Sequence, residues 1–229
     1  MLAEVLPSRV VVAERFTDPS DVYLFPEEEA VIARAVDKRR REFSTGRYCA
    51  RQALAGLGVD AAPLLPGKRG APGWPPGVVG SLTHCEGYRA AAVARDHELV
   101  SLGIDAEPHG PLPEGVLGSV ALPAEEERLA GLVRERPDVH WDRLLFSAKE
   151  SVYKTWFPLT GEWLGFEEAE LSFVPDEAGE PSDSVGGTFR ARLLKTGRDP
   201  RGRALTGFDG RWVVTRGLVV TAIAHAPES

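Results

Sequence analysis

Asp105 and Glu107 close the run Leu102-Gly103-Ile104-Asp105-Ala106-Glu107, an apolar stretch that ends in two acids one residue apart. In extended backbone, residues i and i+2 share a face. Two carboxylates on one face repel each other unless a cation stands between them. Mg²⁺ suits that place where phosphate is handled, because it takes few carboxylates and keeps several waters. A solvated strand end is the competing reading, and Asp-x-Glu by itself leaves both open.

A second constellation lies on a helix predicted over residues 141–157. Leu145, Ala148 and Val152 make an apolar stripe. Ser147, Glu150, Ser151 and Lys154 recur at i, i+3, i+4 and i+7, which is one polar face. Glu150 and Lys154 stand in the favourable order for an i, i+4 ion pair. On a solvated surface such a pair contributes only about 0.3–0.5 kcal/mol. The flanking aromatics Phe146, Tyr153, Trp156 and Phe157 favour a cleft wall over plain surface.

Two loop-like stretches offer anion-binding groups. Gly67-Lys68-Arg69-Gly70-Ala71-Pro72-Gly73-Trp74 combines two cations with small residues that let backbone amides approach a phosphate. It lacks the Lys-Ser/Thr of a P-loop, and a mobile surface turn explains it equally well. Gly80-Ser81-Leu82-Thr83-His84-Cys85 supplies compact donors just before a strand. It is not Gly-x-Ser-x-Gly, so acyl-enzyme chemistry has no support. His84 and Cys85 are adjacent and point to opposite faces of an extended chain. Cys85 reads as a small buried group. His97, His109, His140 and His225 show no metal-ligand spacing.

Composition narrows the classes. The chain has 229 residues, 43% hydrophobic and 27% charged, and 27 cations against 34 acids give a net charge of −7. That excess argues against a nucleic-acid binder. Locally, Lys38, Arg39, Arg40, Arg41, Arg47 and Arg51 crowd one segment, which suits a small polyanion. Two cysteines form no disulfide framework. No apolar run approaches the ~20 residues of a membrane span. The first twelve residues are too short and too acidic for a signal peptide, and a cytoplasmic protein is the expectation.

The elements that must hold these groups follow from pattern and breakers. A strand is predicted over 9–13, helices over 26–36 and 38–57, and a Pro/Gly-rich loop over 63–80. Strands over 88–95 and 99–105 form a hairpin across Asp96-His97-Glu98. The breaker cluster at 108–113 divides the chain into 1–110 and 111–229. Beyond it come helices over 123–136 and 141–157, the second closed by Pro158. Strands follow over 169–174, 188–194, 211–216 and 218–224, with a flexible acidic loop over 175–187. Helices and strands mix without a βαβ rhythm, so the class is α+β. Residues 43–51 can be laid thinly on 146–154, a hint of two similar halves sharing one site.

Together these motifs resemble the Sfp-type, or type II, 4′-phosphopantetheinyl transferases, the group that includes the enterobactin synthase component. Gly80 to His84, Gly103 to Glu107 and Phe146 to Lys154 carry the resemblance in matching order and spacing. The likeness covers most of residues 39–165 and is strongest toward actinobacterial enzymes serving polyketide, peptide and lipid synthases. It implies a pseudo-dimeric α+β monomer with coenzyme A between two similar halves. It also implies transfer of the phosphopantetheine arm to a Ser of an apo acyl or peptidyl carrier domain, with release of 3′,5′-ADP. Asp105, Glu107 and Glu150 would then hold Mg²⁺, or Mn²⁺, and Lys154 would neutralise charge on the leaving side. Glu150 is also the candidate base for the attacking Ser. Arg47, Arg39 and His84 would hold the 3′-phosphate. Lys68, Arg69 and the residues up to Pro72 would border the adenine. Ser81, Leu82 and Thr83 would lie near the phosphates, Lys149 would face the cleft edge, and Phe146, Tyr153 and Trp163 would wall the pantetheine channel. A binding protein without turnover and a metal-dependent nucleotide phosphoesterase are the alternatives.

Overall fold

The computed structural model describes residues 1–177 and 184–227. The chain opens with a helical turn, α1 (Leu2–Val5), and a short strand, β1 (Val11–Arg15). The helix α2 (Pro26–Val31) carries Pro in its first turn, where the missing N–H costs nothing. Its Glu28 carboxylate folds back to accept the Phe25 N–H at 3.1 Å. The helix ends at Val31, five residues short of the expected stop, because residues 32–36 turn back toward the next helix. That helix is α3 (Asp37–Gly56), close to the predicted span.

Three strands follow: β2 (Val78–Cys85), β3 (Tyr88–Arg95) and β4 (Ser101–Pro108). After α4 (Leu117–Val120) and α5 (Pro123–Glu135) comes the long helix α6 (Trp141–Thr160). Pro158 lies inside α6 and does not close it. Gly161 does, with a left-handed φ of 69°. The remaining chain is β5 (Ala169–Pro175), β6 (Ser184–Arg198), β7 (Ala204–Thr215) and β8 (Leu218–His225). Residues 184–187, expected in a loop, are the start of β6. Residues 178–183 of that expected loop lie outside the described residues.

The strands form two antiparallel sheets, β1-β3-β2 and β4-β8-β7-β6-β5. This corrects the predicted hairpin. β3 pairs with β2 across Gly87, whose φ is +70°, and β4 pairs with β8. Residues 96–98 make a turn that carries the chain from one sheet to the other. The segment 80–85 therefore lies within a strand.

Alternation along β3 shows how the layers stack. Ala90, Ala92 and Ala94 face Leu102, Ile104 and Ala106 of the second sheet. Ala91 and Val93 face Cys49, Ala50, Ala53 and Leu54 of α3. Small side chains on β3 keep both layers close. On the other side, α6 buries Leu144, Leu145, Ala148, Val152 and Trp156 against the five-stranded sheet.

Strand hydroxyls join the two sheets. Ser81 Oγ accepts the Ile104 N–H at 3.1 Å, and Thr83 Oγ1 accepts the Ala106 N–H at 3.0 Å. These two amides face away from β8, and the hydroxyls satisfy them in place of a strand partner. At the opposite margin of the same sheet, Glu125 accepts the Leu171 N–H at 2.6 Å and Arg128 donates to the Leu171 carbonyl at 3.1 Å.

Helix α6 lies almost on the backbone of β4. A Cβ added to Gly103 would stand 2.2 Å from the Ser151 carbonyl oxygen and 2.3 Å from Thr155 Oγ1. Gly103→Ala is expected to force α6 off β4 and lower stability by about 1–3 kcal/mol. Chemical denaturation measures it, and an unchanged midpoint would contradict the close approach.

Candidate active site

A cleft of about 900 Å³ opens between α3 and β2 on one side and β4 and α6 on the other. Its acidic wall is the one the sequence pattern foresees. Asp105 and Glu107 both reach it from β4, and Glu150 and Lys154 reach it from α6. Lys154 donates to Asp105 Oδ1 at 2.7 Å and to the Ile104 carbonyl at 3.1 Å. Thr83 Oγ1 lies 3.3 Å from the same Oδ1. Asp105 Oδ2 is buried and has no hydrogen-bond partner. An acceptor-only oxygen in that state calls for a cation.

The other two acids share this environment. Burial raises the Glu150 carboxyl above its ordinary range, Lys154 opposes the shift and Asp105 adds to it. Glu107 is also raised, first by burial and then by Asp105, against the pull of Arg143 and Lys154. Arg143 donates to Glu107 Oε2 at 3.0 Å. Among the described residues, no three Asp, Glu, His or Cys side chains form a ready metal cage. Lys154 occupies one oxygen of Asp105 and Arg143 one oxygen of Glu107, so the acids do not close into a ring by themselves.

The opposite wall is cationic. Arg39 and Arg47 of α3, His84 of β2 and Arg69 of the turn Lys68–Gly70 line the cleft. Arg39 lies 3.4 Å from His84 Nε2. Burial lowers the His84 pKa, Glu42 opposes that, and Arg39, Lys154 and Arg89 push it further down. Burial also lowers Arg47 to about 10, against Glu28. Its guanidinium lies over the Phe43 ring at 4.2 Å, and its Nε is buried without a hydrogen-bond partner. Glu28, fully buried, accepts from Arg51 at 2.9 Å and from the Leu64 N–H at 2.9 Å. It thus ties α2 and α3 to the loop that leads into the cleft rim.

Several expectations change. Lys149 does not face the cleft. It is 2% exposed and donates to Glu125 at 2.7 Å and to the Val120 and Phe166 carbonyls at 2.8 Å each. One step along a helix turns a side chain by about 100°, which sends Lys149 into the packing beside α5. Ser147 and Ser151 do not continue the polar face either. They turn toward Thr221 of β8, at 3.0 and 2.7 Å. Lys68 is exposed and not among the residues that line the cleft. Ser81 and Thr83 do line it, but their hydroxyls are committed to β4, while Leu82 contributes only an apolar surface.

Phe146 and Tyr153 line the cleft as expected. Trp163 stands at its rim, 53% exposed, with Arg69 over its ring at 5.3 Å and Tyr153 at 4.9 Å. Cys85 is no nucleophile, since burial and the nearby Glu107 and Asp105 push its thiol up to about 12. Phe157 also lines the cleft, as its place among the flanking aromatics suggested, and Glu42 and Arg143 are the additions that sequence reasoning missed. Arg143 was legible in principle, because it precedes Glu150 by seven residues and Lys154 by eleven. Those intervals return to the same face of a helix.

A two-halved α+β protein with acids on one wall of a cleft and cations on the other is built to hold an anionic substrate across a reacting centre. Comparison with known proteins names the family. Residues 27–94 match the 4′-phosphopantetheinyl transferase N-terminal domain, and residues 101–207 match the 4′-phosphopantetheinyl transferase superfamily. The 4′-phosphopantetheinyl transferase Svp of Streptomyces mobaraensis is 61% identical over 229 residues, covering 99% of this chain and 89% of that one. The 4′-phosphopantetheinyl transferase Npt of Nocardia iowensis is 52% identical over 227 residues, covering 99% and 100%. Enterobactin synthase component D of Escherichia coli (strain K12) is 35% identical over 129 residues, or 55% of this chain and 58% of that one. The chain therefore belongs to the 4′-phosphopantetheinyl transferase superfamily, and transfer of a phosphopantetheine group is its activity.

The buried Lys149–Glu125 pair makes a separate prediction. Lys149→Ala leaves Glu125 buried and uncompensated, and is expected to cost about 3–5 kcal/mol. The double variant Lys149→Met with Glu125→Leu should recover most of that. Thermal unfolding of the three proteins checks it, and a Lys149→Ala protein as stable as the parent would return Lys149 to a role in the cleft.

Proposed function

We propose that the protein moves the 4′-phosphopantetheine arm of coenzyme A to a Ser hydroxyl of apo acyl or peptidyl carrier domains of polyketide, peptide or fatty-acid synthases. The observation that carries this reading is the orphaned Asp105 Oδ2, buried beside Lys154 and across the cleft from Arg39, Arg47 and His84. Asp105, Glu107 and Glu150 would hold Mg²⁺, or Mn²⁺, through carboxylate oxygens. The ion would supply charge neutralisation at the pyrophosphate.

In the step itself, the carrier Ser oxygen attacks the phosphorus that bears pantetheine. The bond from that phosphorus to the bridging oxygen breaks, and 3′,5′-ADP leaves with the electron pair. The Ser proton passes to Glu150, whose raised affinity for protons suits a base in this setting. Lys154, fixed on Ile104 and Asp105, offsets the growing negative charge. Arg47, Arg39 and His84 bind the 3′-phosphate, and the turn around Arg69 borders the adenine. Phosphoryl transfer depends on such positioning and charge more than on covalent help. Among the described residues, no helix is long and apolar enough to cross a membrane. We take the protein as a cytoplasmic monomer; its two free thiols, Cys49 and Cys85, suit a reducing compartment.

Intact mass of an apo carrier domain, incubated with CoA, Mg²⁺ and the enzyme, tests the reading. A gain of one phosphopantetheine arm that disappears with chelator is expected. Asp105→Ala and Glu150→Ala should each abolish the gain while still folding, with Asp105→Ala unfolding at a lower midpoint because it takes Lys154's buried partner away. No gain on any carrier, with CoA still bound, would favour a binding protein without turnover. Release of 3′,5′-ADP without carrier would favour a phosphoesterase. His84→Ala should weaken CoA more than dephospho-CoA, by about tenfold for one lost charge-assisted contact. Equal losses in calorimetric titrations would remove His84 from the 3′-phosphate.

A further inference from the structure

Arg143 lies in the first turn of α6 and uses every nitrogen of its fork. Nη1 donates to Glu107 Oε2 at 3.0 Å, Nε to the Gly110 carbonyl at 3.2 Å and Nη2 to the Pro111 carbonyl at 2.7 Å. One guanidinium thus fixes a carboxylate at the end of β4 and the backbone that leaves it. Glu107 is 21% exposed on its side chain and Arg143 17%, so the pair is withdrawn from bulk water. The neighbouring Asp142 accepts the Leu112 N–H at 2.8 Å, which holds the same linker without touching Glu107.

We propose that Arg143 is a positioning residue for the metal-binding carboxylates. By engaging Oε2 it sets the orientation of Glu107 and leaves Oε1 for the ion that Asp105 Oδ2 also faces. The division of labour has a reason in geometry. Glu107 sits next to the last residue of β4, where the strand ladder ends and the chain turns away. A carboxylate there has three rotatable bonds, and its ladder partner on β8, Val219, offers it no polar group to hold its orientation. The planar fork supplies the missing restraint, and it comes from the helix that also carries Glu150 and Lys154. All the acidic groups are therefore referenced to one helix. A Lys at 143 could reach one acceptor but not hold a carboxylate and two carbonyls in one plane.

This inference rests on the proposed metal role of Asp105, Glu107 and Glu150, and the experiment separates the two. Mn²⁺ is titrated into the protein in the presence of CoA, and free Mn²⁺ is read by its electron paramagnetic resonance signal. The Mg²⁺ concentration for half-maximal transfer is measured in parallel. Arg143→Gln is expected to raise both by 10–100-fold, the usual effect of losing a partner of a metal ligand, while kcat at saturating Mg²⁺ is kept. Arg143→Lys should restore little, and it replaces the Gln variant if that one does not fold. Asp142→Ala should lower the unfolding midpoint without moving the Mn²⁺ titration. Arg143 variants that bind Mn²⁺ as the parent does would overturn the inference, as would Asp142→Ala matching the Arg143 loss. Wild-type Mn²⁺ binding by Asp105→Asn would instead sink the metal reading, and the role of Arg143 with it.

Discussion

Lys154 makes the contact on which the rest of the site depends. Its ammonium joins the Ile104 carbonyl and the Asp105 carboxylate, and so binds α6 to β4 at the floor of the cleft. The contact requires helix and strand to lie almost backbone on backbone, which only a glycine at 103 allows. Thr155 and Ser151 fill the remaining space by turning their hydroxyls onto neighbouring backbone carbonyls. An ion pair in this position does more than attract. It takes one oxygen of Asp105 and leaves the other buried and unpaired, a state that a positive group within the cleft would relieve.

The opposite wall solves a related problem with different means. Arg47 and Arg51 are largely withdrawn from water, where two bare guanidinium groups would repel each other. Glu28 sits beneath both and offsets part of their charge, while Phe43 offers Arg47 the face of its ring. The cations are held in place before any ligand arrives, so little reorganisation remains for the moment of binding. The same carboxylate anchors the Leu64 amide, which couples the position of these arginines to the rim of the cleft.

Much of this arrangement was legible in the chain itself. The period of two that puts Asp105 and Glu107 on one face, and the interval of four between Glu150 and Lys154, describe what the structure brings together. Residues that act through tertiary partners were not legible in that way. Lys149 looks like a cleft cation in sequence, yet its three acceptors come from α4, α5 and the turn before β5, elements that no local pattern ties to it. Ser81 and Thr83 read as phosphate donors because small hydroxyls beside a glycine fit that role. Their oxygens instead accept from the amides of a strand twenty-three residues away. The hairpin between 88–95 and 99–105 failed for the same reason. Strand pairing is decided by which edge is open, and the edge open to β4 belongs to β8, at the far end of the chain.

The five-stranded sheet also has a consequence outside the cleft. An exposed sheet edge offers unpaired amides and carbonyls to any passing strand and is a common route to aggregation. Here each outer strand is met by side chains. On β4 the hydroxyls of Ser81 and Thr83 cover two outward amides, and on β5 the side chains of Glu125 and Arg128 occupy both polar groups of Leu171. Residues that brace the cleft and α5 thereby also occupy polar groups at both margins of the sheet, which leaves fewer of them open to a foreign strand.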